Sequence, residues 1–244
     1  MAVTQRALDL LKYARCADVS DALDSLGLGD IYEMSVDMRP LVPLTQFYGV
    51  ARTIELVKED VRIPAMDYDT FDKLQYKSKF EGGYSYLTNP DRPNVKLPKK
   101  FNPGDVLVIA AHGLPGVCGS ANTFGWYLDG AVGFVLDGGA RDTGECIIQE
   151  LPIFATSISY KHCEGRNQLY AVDEPVMCAG VLVRPGDAIV ADNDGVIVIP
   201  QAHAEEVAVR AYKIQQIDRR GRRRYYERQG RPFDETVELL PDID

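Results

Sequence analysis

The sequence predicts a mixed α/β fold. Strand-length apolar runs recur through the middle of the chain, segments with helical spacing bracket them, and the makeup is that of a globular protein. The chain has 244 residues, of which 45% are hydrophobic and 26% charged. A chain of that size buries a core without disulfides or a structural metal. Disordered, collagen-like and coiled-coil classes are excluded by composition.

The first segment reads as a helix, because Thr4 can cap it and Leu8, Leu11 and Ala14 recur near the helical period. A second helix is expected over residues 20–26, with Asp18 as its cap and Gly27 as its stop. Residues 47–57 (FYGVARTIELV) read as a strand. Residues 59–100 are polar and rich in Tyr, Lys and Pro, so they read as a long excursion. Strand signals then follow at 105–111, 131–137, 153–159, 176–183, 187–192 and 196–199, with a short helix over 120–128. The Asp194-Gly195 pair between apolar runs predicts a tight hairpin. A last helix is expected from about residue 202, with Val207, Ala211, Ile214 and Ile217 on one face. The organisation is therefore one domain over 1–244, with an insertion at about 59–100 and a helical extension at about 202–244.

Lys and Arg number 27 against 36 Asp and Glu, a net charge of −9, which argues against a general nucleic-acid binder. The run RRGRRR at 219–224 reads as a solvated helix end or a subunit contact, since the surrounding chain is acidic and no stacking motif accompanies it. The cysteines (Cys16, Cys118, Cys146, Cys163 and Cys178) are odd in number, with no C-x-x-C pair, which suits a reducing cytosol better than a disulfide framework or a zinc site. The first residues lack the apolar stretch of a signal peptide, and no run approaches the eighteen or so apolar residues of a membrane span. A cytoplasmic location is expected.

The chemistry concentrates in residues 116–145. A glycine-rich turn leads into a helix start at Ser120, where backbone N–H groups form an anion site and Ser120, Asn122 and Thr123 add small polar donors. A buried strand then runs into D-G-G-A-R-D, where Gly138 and Gly139 are expected to let the chain turn at a strand end. Arg141 can clamp a carboxylate with two prongs, and Asp142 and Glu145 offer oxygens to a hard divalent cation. Other candidates read as structural. His112 could line the pocket but is expected to be packed or exposed. His162 and His203 have no partners at metal-ligand spacing. Cys118 and Cys146 read as small core fillers. Asp192-x-Asp194-Gly195 lacks the closing glutamate of a calcium loop, and no G-x-G-x-x-G follows a first strand, which excludes a methyltransferase of that type.

Taken in order, these motifs resemble the RraA-like family, which holds metal-dependent 4-hydroxy-4-methyl-2-oxoglutarate aldolases and the regulator of ribonuclease E activity. The resemblance rests on DVSDALDSLG at 18–27, MRPL at 38–41, YGVART at 48–53 and PGDVLV at 103–108. It continues through GFVLDGGARD at 133–142, LPIFA at 151–155 and VRPGDAIVADNDGVIVIP at 183–200. It implies a swivelling β/β/α arrangement with flanking helices, assembled as trimers or hexamers. It also implies a lyase that uses Mg2+ or Mn2+ to release pyruvate from a 2-oxo acid or to decarboxylate oxaloacetate. Arg141 would then hold the pyruvoyl group, Asp142 and, more weakly, Glu145 the metal, and the loop Gly119, Ser120, Ala121, Asn122 and Thr123 the substrate carboxylate. Aldolases of the family carry an acid where this chain has Ser120, which removes a negative charge from the site. They also use a C-terminal glutamate from a neighbouring subunit, whose nearest counterpart by spacing is Asp218. The extension after Asp218 is accordingly expected to pack on a neighbouring subunit near its Arg141. The alternative implied by the same resemblance is a non-catalytic regulator that binds an endoribonuclease.

Overall fold

The computed structural model describes residues 2–59, 64–76, 89, 91–98 and 100–243. The chain opens with helices α1 (Gln5–Leu11) and α2 (Cys16–Asp24). Thr4 caps α1, its hydroxyl accepting from the Ala7 amide at 3.2 Å. Helix α2 starts earlier than expected: Arg15 is its cap, and Asp18, inside the first turn, returns a carboxylate oxygen to the Arg15 amide at 3.0 Å. The same carboxylate takes the Arg15 guanidinium, so a buried acid is fully paired.

The strands are β1 (Arg39–Pro40), β2 (Phe47–Lys58), β3 (Asp105–Cys118), β4 (Ala131–Ala140), β5 (Ile153–Ile158), β6 (Asn167–Val172), β7 (Val176–Cys178), β8 (Val181–Val183), β9 (Ala188–Asp192) and β10 (Gly195–Ile199). The main sheet runs β1-β5-β4-β3-β2-β9-β10, with β6 also on β2. Strands β2 to β5 are mutually parallel in their ladders, and the remaining pairs are antiparallel. One segment joins the two edges. The Met34 amide donates to Val196 of β10, Val198 donates to Tyr32, and the chain then reaches β5 through β1. The sheet is thereby nearly closed into a barrel.

Strand alternation sorts the side chains into separate cores. Val106, Val108, Ala110, Val135, Ile189, Ala191, Val196 and Val198 point into the barrel. Ala188, Val190, Ile197 and Ile199 point outward and are covered by α1, α2 and the long helix α6 (Ala204–Gln229). Leu107, Ile109, Phe134 and Leu136 form a second outer core, which includes Cys118 and Cys146. That second core lies beneath helices α4 (Ser120–Leu128) and α5 (Thr143–Ile148), which follow β3 and β4.

Several expectations are corrected. Residues 176–183 are a hairpin, not one strand, because Ala179 and Gly180 adopt positive φ of 47° and 88° and turn the chain back. The β9–β10 turn is Asn193–Asp194, since Gly195 already pairs with Asp192. Strand β6 was not anticipated from its sequence. The 59–100 excursion contains helix α3 (Tyr68–Tyr76), and its Val95 and Leu97 pack on the outer core. Residues 60–63, 77–88, 90 and 99 of that excursion lie outside the described residues. Ile217 does not extend the apolar face of α6 but is 66% exposed.

The C-terminal tail folds onto its own helix rather than reaching away from it. Gln216 makes paired bonds with the Leu240 backbone, both at 2.9 Å, and Arg219 donates to the carbonyls of Glu235 and Glu238 at 2.7 and 2.8 Å. Val237 and Leu240 are buried there. Removing residues 231–244 is expected to cost about 2–4 kcal/mol, because the burial of Val237 and Leu240 and the bonds to Gln216 and Arg219 are lost, offset in part by the entropy of ordering the tail. A lower urea midpoint would record it; an unchanged one would contradict this account of the tail.

Candidate functional site

The site forms where β3 and β4 end side by side. The last rung of that parallel ladder pairs Cys118 with Ala140, and the next Arg141 amide donates to the Cys118 carbonyl at 2.8 Å. The glycine-rich turn and the R-D pair, twenty-odd residues apart in sequence, are thereby neighbours in space. Gly138 and Gly139 do not turn the chain as expected: β4 continues to Ala140. They are small because a Cβ at 138 would meet Val117 and the Leu114 carbonyl, and one at 139 would meet Ser159. The turn falls instead at Asp142, which adopts the left-handed conformation (φ 54°, ψ 40°) that aspartate tolerates better than most residues.

Asp142 is the N-cap of α5, yet its carboxylate makes no capping bond. Instead Oδ1 lies 3.2 Å from Arg141 Nε, and the Oδ2 side faces Gly119 so closely that a Cβ at 119 would collide with it. Gly119 is therefore required by space at this point. With Nε engaged, the Nη groups of Arg141 have no ion-pair or hydrogen-bond partner among the described residues. Both side chains are about one-third exposed.

Gly119 is also the N-cap of α4. The first helical bond runs from the Thr123 amide to the Gly119 carbonyl, so the amides of Ser120, Ala121 and Asn122 precede it in the first turn, at the positive end of the helix dipole. Thr123 does not join that face. It is fully buried, its hydroxyl donating to the Gly119 carbonyl at 3.0 Å and lying 2.7 Å from Cys118 Sγ. Glu145 stands exposed in the first turn of α5. Asp218 sits elsewhere on its own chain, ion-paired with Arg15 at 2.9 Å and Arg222 at 3.3 Å.

These oxygens suit one kind of metal. Among the described residues no group of three or more His, Cys, Asp or Glu side chains could cage an ion. By donor type alone, oxygens from Asp142, Glu145 and Ser120 are those of a magnesium-type cation, which keeps most of its waters, and not those of a structural zinc. The cysteines behave as core. All five are buried, and burial pushes the Cys118 and Cys163 thiols up to about 12 and Cys146 to about 11. His112 is half exposed, 3.4 Å from Glu55 Oε1. His162 Nδ1 accepts the Glu164 amide at 3.2 Å, a backbone contact and not a metal-ligand pairing. Neither pairing was legible in the sequence, because each depends on register or on loop geometry.

A profile of the RraA-like family, described as Aldolase/RraA, matches residues 16–198. A protein from Halalkalibacterium halodurans, provisionally named a 4-hydroxy-4-methyl-2-oxoglutarate aldolase, is 32% identical over 209 residues, covering 82% of this chain and 79% of the relative. Among solved structures, an uncharacterised protein from Pseudomonas syringae superposes with a TM-score of 0.69 at 26% identity, covering 98% of this chain and all of the other. Streptomyces coelicolor RraAS2, described as an unusual member of the RNase ES inhibitor RraA family, superposes with a TM-score of 0.67 at 23% identity, over 91% of this chain and 98% of its own.

Two outcomes test the geometry. Gly119→Ala is expected to displace the Asp142 carboxylate and weaken Mn2+ binding by more than about tenfold in calorimetry, the scale of disturbing a metal's supporting shell, with little change in melting temperature. Unchanged Mn2+ affinity would contradict the placement. The native protein at pH 8 is expected to resist a thiol reagent that modifies all five cysteines in guanidinium, since raised thiol pKa values keep the reactive thiolate scarce. Rapid native labelling would contradict it.

Proposed function

The chain belongs to the RraA-like family, and from that premise we propose that it is a divalent-metal-dependent lyase acting on 2-oxo acids. It releases pyruvate by retro-aldol cleavage of a 4-hydroxy-4-methyl-2-oxoglutarate-like substrate, or decarboxylates oxaloacetate. The observation that carries this reading is the Arg141–Asp142 pair held against Gly119, with the Nη edge of the arginine left open beside the first turn of α4.

Both reactions meet the same physical problem. A C–C bond breaks, its electron pair stays with the three-carbon fragment, and negative charge builds on a pyruvate enolate that then takes a proton at carbon. Arg141 binds the substrate carboxylate through its two Nη groups and keeps a full positive charge beside the developing enolate. It needs no reorientation, because Asp142 already holds Nε. The amides at the start of α4 add partial positive charge on the same side. Asp142, with Glu145, would hold the cation, which when bound supplies Lewis-acid polarisation of the 2-oxo group.

Ser120 separates the two reactions. Aldol cleavage requires a base to take the hydroxyl proton of the substrate, whereas loss of carbon dioxide from oxaloacetate requires none. A serine hydroxyl holds a water but does not accept a proton as a carboxylate does. Decarboxylation is therefore the favoured reaction of this chain, with aldol cleavage the slower one.

The site's surroundings support assembly. Leu128 at the end of α4, Ile148 at the end of α5 and Tyr160 after β5 are 71%, 83% and 89% exposed, and large apolar side chains left open in this way are of the kind that subunit contacts cover. On this reading copies of the chain associate there, and a neighbour closes the open side of the site. Asp218, tied to Arg15 and Arg222 in its own chain, would reach a neighbour's site only after leaving those partners. Ser120 is also the one observation favouring the non-catalytic regulator, which has no need of the acid.

Pyruvate release from oxaloacetate with Mg2+ or Mn2+ is the direct test. Arg141→Ala is expected to lower kcat/KM by about 100- to 1000-fold, the scale of removing one preorganised charge-stabilising donor. Arg141→Lys should recover little, because a lysine lacks the two-pronged fork. Ser120→Glu should raise aldol cleavage relative to decarboxylation by at least about tenfold. Absence of turnover on either substrate with either metal, together with capture of an endoribonuclease, would leave the regulator reading instead.

A further inference from the structure

The arginine-rich end of α6 divides into two sets with different work. Arg219 is spent on tail carbonyls. Arg222 bonds Asp218, Gln215 and the Thr236 carbonyl, and Arg223 pairs with Glu227 at 3.6 Å and lies 4.2 Å over the Phe233 ring. These three cations are internal fastenings of the tail. Lys213, Arg220, Arg224 and Arg228 are not: all four are exposed, and their side chains make no ion pair, hydrogen bond or ring contact with the described residues.

The four share one face. At about 100° per residue they fall within an arc of roughly 80°, and the three arginines stand at steps of four residues, about 6 Å apart along the axis. The row from Lys213 to Arg228 is about 22 Å long by the same rise. Its acidic neighbours are mostly engaged. Glu206 pairs with Arg210 and Glu227 with Arg223, which leaves Asp242 in the shallow groove that Lys213, Ile217 and Arg220 also line. On a chain of net charge −9, four unpaired cations in register are a local reversal of sign.

We propose that this face of α6 binds the phosphodiester backbone of single-stranded nucleic acid. Regularly spaced arginines match a repeating phosphate, whose oxygens each guanidinium grips with two parallel bonds. An acidic protein partner would be expected to seat a cluster of apolar anchors, and this row offers only Ile217. Tyr225, 62% exposed, lies about 60° around the helix beyond Arg228, at the edge of the row, where a base turned away from its phosphate can stack, a feature that suits a single strand. The binding is sequence-independent and weak, because the rest of the chain repels a polyanion; a dissociation constant of roughly 10⁻⁵ M at low salt is the expected scale.

The salt dependence supplies the test. Four neutralised phosphates on a single strand give a slope of log K against log salt of about −2.8, so affinity falls about 50-fold between about 50 and 200 mM salt. The full chain is titrated into a labelled oligouridylate and followed by fluorescence anisotropy, with labelled duplex DNA and polyglutamate as controls. The triple variant Arg220→Ala, Arg224→Ala, Arg228→Ala should retain its melting temperature and its assembly state, and its slope should fall to about −0.7. The corresponding triple lysine variant should bind within a few-fold of the parent. The proposal is overturned by absence of saturable binding at 50 mM salt, or by an unchanged slope in the alanine variant. Equal binding of polyglutamate would assign the face to an acidic protein, duplex preferred to the single strand would assign it to a different nucleic acid, and a change of assembly state in the alanine variant would assign it to a second copy of the chain. Each of these outcomes also overturns it.

Discussion

The hydrogen bond from the Arg141 amide to the Cys118 carbonyl, 2.8 Å long, is the join on which the functional reading depends. It extends the β3–β4 parallel ladder one step beyond Ala140, and so brings a helix N-terminus and an arginine–aspartate pair to the same few ångströms. The left-handed turn at Asp142 follows from it. Once β4 ends in register with Cys118, the chain must reverse at once to start α5, and the residue at that turn aims its carboxylate back at Gly119. The Arg141 guanidinium, the amides that open α4 and the Asp142 carboxylate are thus positioned by backbone geometry. They do not rely on long side chains finding one another.

The layered cores keep that geometry independent of the rest of the chain. The barrel interior is filled by strand residues and plugged by the β7–β8 hairpin, whose Ala179 amide donates to Asp137 at 3.1 Å. Helices α1, α2 and α6 cover the β9–β10 side and carry their own polar fastenings, from Arg15–Asp18 to Gln216–Leu240. The candidate site lies over the other outer core, where three buried thiols, Cys118, Cys146 and Cys163, pack beneath it as small apolar groups. Changes of chemistry at Ser120 or Glu145 can therefore be made without disturbing the barrel or the tail.

Much of this was legible in the sequence, and the misses have definite causes. Strands β2, β3, β4, β9 and β10 announced themselves through alternating apolar runs, and Gly119, Arg141 and Asp142 were singled out from their residue types and from family resemblance. Strand β6 escaped because NQLYAV mixes polar with apolar residues, while its pairing to the second half of β2 is a tertiary choice. Gly138 and Gly139 were read as turn-makers, because sequence shows a missing side chain without showing whether backbone freedom or neighbouring volume demands it. Thr123 looked like a ligand donor from its position in the first turn, but helical phase turns it into the core. The fastening of the C-terminal tail to its own helix through Gln216, Arg219 and the Arg223–Phe233 contact was not legible, because nothing in the spacing of those residues pairs them.

A crystal of the full chain soaked with Mg2+ and oxalate, an analogue of the pyruvate enolate, tests the central claim most directly. The account predicts oxalate bridging the Arg141 Nη groups and the amides that open α4, with the cation on Asp142 and water filling the side occupied by Ser120. Oxalate bound away from Arg141, or a cation held by residues other than Asp142, would contradict it.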